Sequence, residues 1–168
     1  THVEDALFVA TAMQDALVDL NKENRELGLS QIEIGVGLNS GKAVAGNMGS
    51  EQRFDYTLMG DTVNLASRLE SLTKYYGVGI IASADTLVGG APAGILTREI
   101  DEVRVKGKLK PVKIYEVIPE SKRSEIEKIL KWFDTARGYY YKGDWDKCLK
   151  MLADIEKIAP SDGPTRVL

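Results

Sequence analysis

Histidine and cysteine are almost absent, with one His2 near the terminus and one Cys148 among 168 residues. The first scarcity leaves no basis for triad chemistry or for imidazole-based metal sites. The second excludes an internal disulfide and fits a reducing compartment. No apolar run approaches the length that spans a bilayer, and no signal-peptide pattern opens the chain. A cytoplasmic location is therefore expected, either free or as the cytoplasmic part of a larger, membrane-attached protein. Lys and Arg number 22 against 25 Asp and Glu, and a net charge of −3 lacks the basic excess that a nucleic-acid partner demands. What is present, 43% hydrophobic and 28% charged residues, describes one globular domain with room for an appendage.

Ala6, Val9, Met13, Leu17 and Leu20 recur at helical spacing between acidic residues. They predict an amphipathic helix over 3–21 that ends near Leu27, with Gly28 as its stop. Ile32, Ile34, Val36 and Leu38 alternate with Glu33, Gly35 and Gly37, the period of a strand. The two glycines facing away from the apolar side leave room for a ligand or a second backbone. Asn39-Ser40-Gly41 supplies a turn, and residues 42–49 are expected to return as a glycine-rich partner strand. The glycines do not make a phosphate loop, because Val36 and Ala43 stand where that motif needs Gly and Ser or Thr. The dinucleotide fingerprint fails as well, since its third glycine would fall at Ser40.

The chain is organised around residues 53–68, which predict a short strand, a break at Gly60 and a helix with Asp61 as N-cap. Leu65, Leu69, Leu72 and Tyr76 form its apolar stripe. Asn64 and Arg68, four apart, share the adjacent face. A guanidinium fork and an amide on one rigid face suit a polyanionic ligand, although on spacing alone a solvated helix face is the commoner reading.

Gly77 is expected to end that helix, followed by a buried strand over 78–82, a short helix and loop over 83–94, and strands over 95–105 and 112–118. A Lys-Gly-Lys turn joins the last two and, by itself, reads as a solvated hairpin tip. Beyond Pro119 two helical stripes follow, Ile126, Ile129, Phe133, Ala136 and Tyr140, then Trp145, Cys148, Leu149, Leu152 and Ile155. Gly143-Asp144 separates them and Pro160 ends the second. The pair resembles one tetratricopeptide repeat, which cannot bury its own face and must pack on the preceding domain or on more repeat.

Gly-Asp-Thr-Val-Asn-Leu-Ala-Ser-Arg at 60–68, the glycine-rich run from Ile34 and Val-Lys-Gly-Lys at 105–108 together resemble the class III adenylyl cyclase catalytic domain. The resemblance extends from the first helix to about Val117. It implies an α+β fold, the antiparallel ferredoxin-like sheet of the class III nucleotidyl cyclases, incomplete at the N-terminus. The expected division is 1–118 for the catalytic domain and 119–168 for a tetratricopeptide-like α-helical hairpin. The implied reaction is attack by the ribose 3′-hydroxyl of ATP on the α-phosphate, giving cyclic AMP and pyrophosphate. By the same resemblance Asn64 positions the ribose and Arg68 bears on charge developing at the α-phosphate. Lys106 aligns with the lysine that contacts the triphosphate. Thr57 aligns with the base-reading position, where a hydroxyl that can accept from the adenine amino group argues for ATP over GTP.

The family's metal-binding aspartates and its adenine-reading lysine lie before the segment that resembles this chain. Mg2+ or Mn2+ is therefore expected to take ligands upstream, with no metal residue assigned here and neither Asp55 nor Asp61 counted as one. The site is expected to be shared across a homodimer, this chain supplying the Asn/Arg half. Alone, the chain is expected to be inactive and oligomeric, because the strand at 32–38 lacks a neighbour. Two other readings stay open: a catalytically silent cyclase-like regulatory domain, and an interaction module built on the C-terminal helices.

Overall fold

Thr1 opens the first helix through a capping box, its hydroxyl accepting from the Glu4 amide at 3.3 Å while the Glu4 carboxylate returns to the Thr1 amine. The structure is a computed structural model that describes residues 1–50, 53–104 and 111–168. Its elements run α1 (His2–Glu26), β1 (Val36–Leu38), β2 (Val44–Ser50), β3 (Arg53–Met59), α2 (Asp61–Tyr76), β4 (Ile80–Ser83), β5 (Leu96–Val103), β6 (Val112–Ile118), α3 (Glu120–Lys142), α4 (Trp145–Ile158) and α5 (Gly163–Val167). Among the described residues no helix is long and apolar enough to cross a membrane.

Four strands form a sheet in the order β1-β4-β6-β5, and β2 with β3 forms a separate antiparallel ribbon. The sheet is mixed rather than wholly antiparallel. β1 and β4 are parallel, because α2 carries the chain back along the sheet between them, whereas β4–β6 and β5–β6 are antiparallel. The expectation that residues 42–49 return to pair with the preceding strand is corrected: β2 pairs with β3, from Val44 opposite Met59 to Ser50 opposite Arg53.

The first strand is also shorter than its alternation predicts. Asn21 of α1 donates to the Ile32 carbonyl at 2.8 Å and accepts from the Ile32 amide at 2.7 Å. Gln14 donates to the Ile34 carbonyl at 2.9 Å. Backbone groups that a neighbouring strand would satisfy are thus taken by helix side chains, and pairing begins only at Val36. On α1 the buried stripe is Leu7, Ala10 and Thr11, so the predicted stripe is displaced, and Val9, Met13 and Leu20 are exposed. Gln14 bridges to both Ile34 and Gly79, putting a polar residue on the inner face where an apolar pattern cannot detect it. Residues 84–89 are turns instead of a short helix, with the Thr86 and Leu87 amides returning only to Ser83 and Ala84.

Two cores lie on opposite faces of the sheet. Leu7 and Ala10 of α1 meet Ile80, Ala82 and Val117 on one face. On the other, Leu65, Leu69 and Tyr76 of α2 share one cluster with Ile81, Ile114, Ile129, Phe133 and Ile155. The α3–α4 hairpin therefore packs on the preceding domain, and Ile126, Ile129, Phe133, Ala136, Cys148, Leu152 and Ile155 are buried as the stripes predict. Trp145 and Leu149 are exposed instead, although the Trp145 ring still packs edge-on against Tyr140 of α3, 5.5 Å between centroids.

The short α5 has no counterpart in the sequence reading. Its N-cap Asp162 is buried and grips Arg98 of β5 through both carboxylate oxygens, while Glu116 of β6 accepts from the Arg98 Nε at 2.6 Å. The guanidinium lies 4.9 Å over the Phe133 ring.

Candidate active site

β3 runs into α2 through Gly60, whose φ of +133° is a backbone state that side-chained residues rarely adopt. Gly60, not Asp61, is the N-cap: its carbonyl accepts from the Val63 and Asn64 amides at 3.1 Å, and no side chain caps the helix. Asp61 is instead the first helical residue, where its charge still complements the positive end of the helix dipole.

The inner face of α2 follows the predicted stripe at Leu65, Leu69 and Tyr76, joined by buried Thr73, while Leu72 is half-buried. The helix lies against the backbone of β1. A Cβ placed on Gly37 would stand 2.1 Å from the Ala66 carbonyl oxygen and 2.4 Å from the Glu70 nitrogen. The second backbone for which the two glycines leave room is thus that of α2, and any side chain at Gly37 would push the helix off the sheet.

Asn64 is exposed and Arg68 partly exposed on the same side of α2, one turn apart. Among the described residues no carboxylate lies within ion-pair distance of Arg68. The guanidinium is therefore available to an anion. Thr57 is exposed on β3 opposite Gly46, on the ribbon that leads into α2. Lys106 lies outside the described residues.

No group of three or more His, Cys, Asp or Glu among the described residues is placed to hold a metal ion. Asp55 lies on the ribbon opposite Met48, and Asp61 opens α2. These residues do not fit a metal site. An open groove of about 610 Å³ at the other end of α2, lined in part by Gln14, Asn21, Glu70, Lys74 and Lys122, contains none of the candidate residues.

One residue near the site was read only as part of a turn. The Asn39 side-chain amide donates to the Thr62 carbonyl at 2.9 Å, in the first turn of α2, and its oxygen accepts from the Ser83 hydroxyl at 2.6 Å. No local pattern announces this bond, since its partners lie 23 and 44 residues away.

The family model described as the adenylate and guanylate cyclase catalytic domain matches residues 1–119. A curated relative, "Adenylate cyclase, terminal-differentiation specific" of Dictyostelium discoideum, is 38% identical over 143 residues, covering 82% of this chain and 7% of its own length. That share reaches past residue 119 into the C-terminal helices. Among solved structures, the guanylyl cyclase Cya2 matches with a TM-score of 0.55 at 36% identity, covering 70% of this chain and 58% of that one. The adenylyl cyclase CyaB from P. aeruginosa matches with a TM-score of 0.55 at 36% identity, covering 65% and 55%. The chain thus spans a small part of that curated relative and little more than half of each structure.

Proposed function

The chain belongs to the adenylate and guanylate cyclase catalytic domain family, and from that premise we propose that it supplies the Asn/Arg half of an active site converting ATP to 3′,5′-cyclic AMP and pyrophosphate. The observation that carries this reading is the outward face of α2, where Asn64 and an Arg68 with no carboxylate partner among the described residues stand one turn apart. In the reaction the ribose 3′-hydroxyl gives up its proton to solvent and its oxygen bonds to the α-phosphorus. As it does so, the bond from that phosphorus to the bridging β-phosphate oxygen breaks and pyrophosphate leaves. Charge that builds on the α-phosphate oxygens is met by the Arg68 guanidinium, whose fork matches phosphate geometry. Asn64 orients the ribose, a contribution of geometry. Thr57 accepts from the adenine amino group and Lys106 contacts the triphosphate.

Mg2+ or Mn2+ would take its ligands from residues other than those described, and no step above runs through it. The complementary half of the site is assigned to a second copy of the domain. The β2–β3 ribbon supports this assignment, because Val44 (65%), Tyr56 (76%) and Leu58 (55%) are exposed on its two faces. A two-stranded ribbon with uncovered apolar faces is marginal by itself and suits a partner surface. Residues 1–118 would form the catalytic domain and 119–168 an appended helical hairpin of tetratricopeptide type.

A catalytically silent cyclase-like domain is the alternative, and it would hold if the full-length protein lacks the metal-binding aspartate pair. Cyclic AMP formation by the full-length protein separates the two. Arg68→Ala is expected to lower kcat roughly 10²-fold with little change in KM, as for a contact made in the transition state. Nucleotide binding without turnover in the full-length protein would instead establish the silent reading.

A further inference from the structure

We propose that Asn39 is a positioning residue for the Asn64–Arg68 helix, acting through the Thr62 carbonyl; the proposal rests on the cyclase reading of α2. Asn39 follows β1, Ser83 ends β4 and Thr62 lies in the first turn of α2, so one side chain ties together three elements. The orientation of its amide is determined by its partners. A carbonyl can only accept, so the nitrogen must face Thr62, and the oxygen is then left to the Ser83 hydroxyl.

Ser83 is fully buried and is held in turn. Its oxygen accepts from the Thr86 amide at 3.3 Å and lies 3.2 Å from the Thr86 hydroxyl, which also reaches the Leu38 carbonyl at 3.2 Å. A buried network with its polar groups paired is rigid, because each bond left unmade would strand a group away from water. Asn39 is the outermost member of this network and its link to α2.

The other contacts near the start of α2 do a different job. Gly37 sets how close the helix lies to the sheet, but a steric contact of that kind does not prevent sliding along the strand. The Thr62 hydroxyl bonds to the Lys42 carbonyl at 2.9 Å, which refers the helix to the approach to the ribbon. Asn39 is the directional bond from the sheet itself to the first turn. Asn64 and Arg68 lie within the next two turns, so a shift or rotation there is passed directly to both. Misplacing a reacting geometry by about 1 Å costs on the order of 10² in rate.

The test uses the full-length protein with ATP as the probe. Asn39→Asp places an oxygen against the Thr62 carbonyl and is expected to lower kcat roughly 10²-fold, with KM for ATP within about twofold of wild type. Asn39→His restores most of the rate at pH 8, where a neutral imidazole donates from one nitrogen and accepts at the other. Ser83→Ala leaves the Asn39 amide without its orienting partner and gives a smaller loss of kcat. Amide hydrogen exchange over residues 61–66 reports the same contact without catalysis, and Asn39→Asp is expected to speed it there while α3 is unchanged. Wild-type protein that makes no cyclic AMP would defeat the cyclase reading, and the exchange pattern would then decide the Asn39 contact alone. A kcat for Asn39→Asp equal to wild type, a loss confined to KM, no rescue by His, or exchange unchanged at 61–66 would each overturn the positioning role.

Discussion

Replacing Asp162 by Ala tests how firmly the C-terminal helices are joined to the sheet. The Arg98, Glu116 and Asp162 side chains are between 0% and 4% exposed. Asp162 accepts from both terminal nitrogens of Arg98, and also from the Thr165 amide at 3.1 Å and the Thr165 hydroxyl at 2.6 Å. Removing one partner of a buried ion pair costs about 3–5 kcal/mol, and Glu116, which remains on Arg98, places this case near the lower end. Losing the helix cap adds about 1 kcal/mol. The expected loss is therefore about 4 kcal/mol. For a chain of this size that corresponds to a fall in Tm on the order of 10 °C. Asp162→Asn keeps an acceptor for the Thr165 amide and should lose about half as much. Urea unfolding followed by the fluorescence of Trp132 and Trp145 measures both variants, with far-UV circular dichroism as a second probe. Asp154→Ala, which removes an exposed partner of Lys157, is the control expected to leave the midpoint where it is. A loss below about 1 kcal/mol for Asp162→Ala would show that water already reaches the Arg98 guanidinium and that α5 is not docked as described.

Gly37→Ala should lower both the unfolding midpoint and kcat, because its methyl would meet the Ala66 carbonyl at 2.1 Å; unchanged stability would mean that α2 stands farther from β1. Burial, and then the hydrogen bond to Asp101 at 2.5 Å, push the Tyr76 hydroxyl above its ordinary value of 10. A raised folded-state value means that the stability this group contributes is complete below pH 10 and is lost as pH rises beyond it. Tyr76→Phe should therefore flatten the alkaline fall in stability measured by urea unfolding between about pH 9 and 11, and parallel curves for the two proteins would remove Tyr76 from that account.

Much of α2 was legible because its signals are local. Leu65, Leu69 and Tyr76 repeat at the helical period, Gly77 takes the left-handed C-cap, and Asn64 with Arg68 falls on the remaining face. α1 misleads for an equally physical reason. Its inner face carries Thr11 and Gln14, which are satisfied by hydrogen bonds to backbone carbonyls, while the more apolar Val9 and Met13 face outward. The start of β1 was over-read because Asn21 takes both backbone groups of Ile32, a long-range bond that alternation cannot reveal. Arg98 falls in step with Leu96 and Ile100 on the core-facing side of β5, but its Asp162 partner is 64 positions away, so no local pattern shows what pairs its charge.

These long-range contacts converge on one element. The start of α2 is tied by Asn39 to the ends of β1 and β4, and its middle rests on Gly37. Its C-terminal end meets α5, where a Cβ on Gly163 would stand 1.9 Å from the Tyr76 carbonyl oxygen. Gly163 lies beyond the family match, yet it fits as closely against α2 as Gly37 does from within that match. The neighbouring Asp162 fastens the same segment to Arg98, so α5 cannot leave Tyr76 without also exposing or stranding a buried cation. Helices that resemble a single tetratricopeptide repeat, which needs a surface to pack on, are therefore part of the frame on which the candidate catalytic helix rests. The likeness to the Dictyostelium relative, which continues past the catalytic domain, agrees with that frame. A rigid α2 held at both ends keeps Asn64 and Arg68 in fixed register with the sheet, and preorganised charge stabilisation depends on that condition.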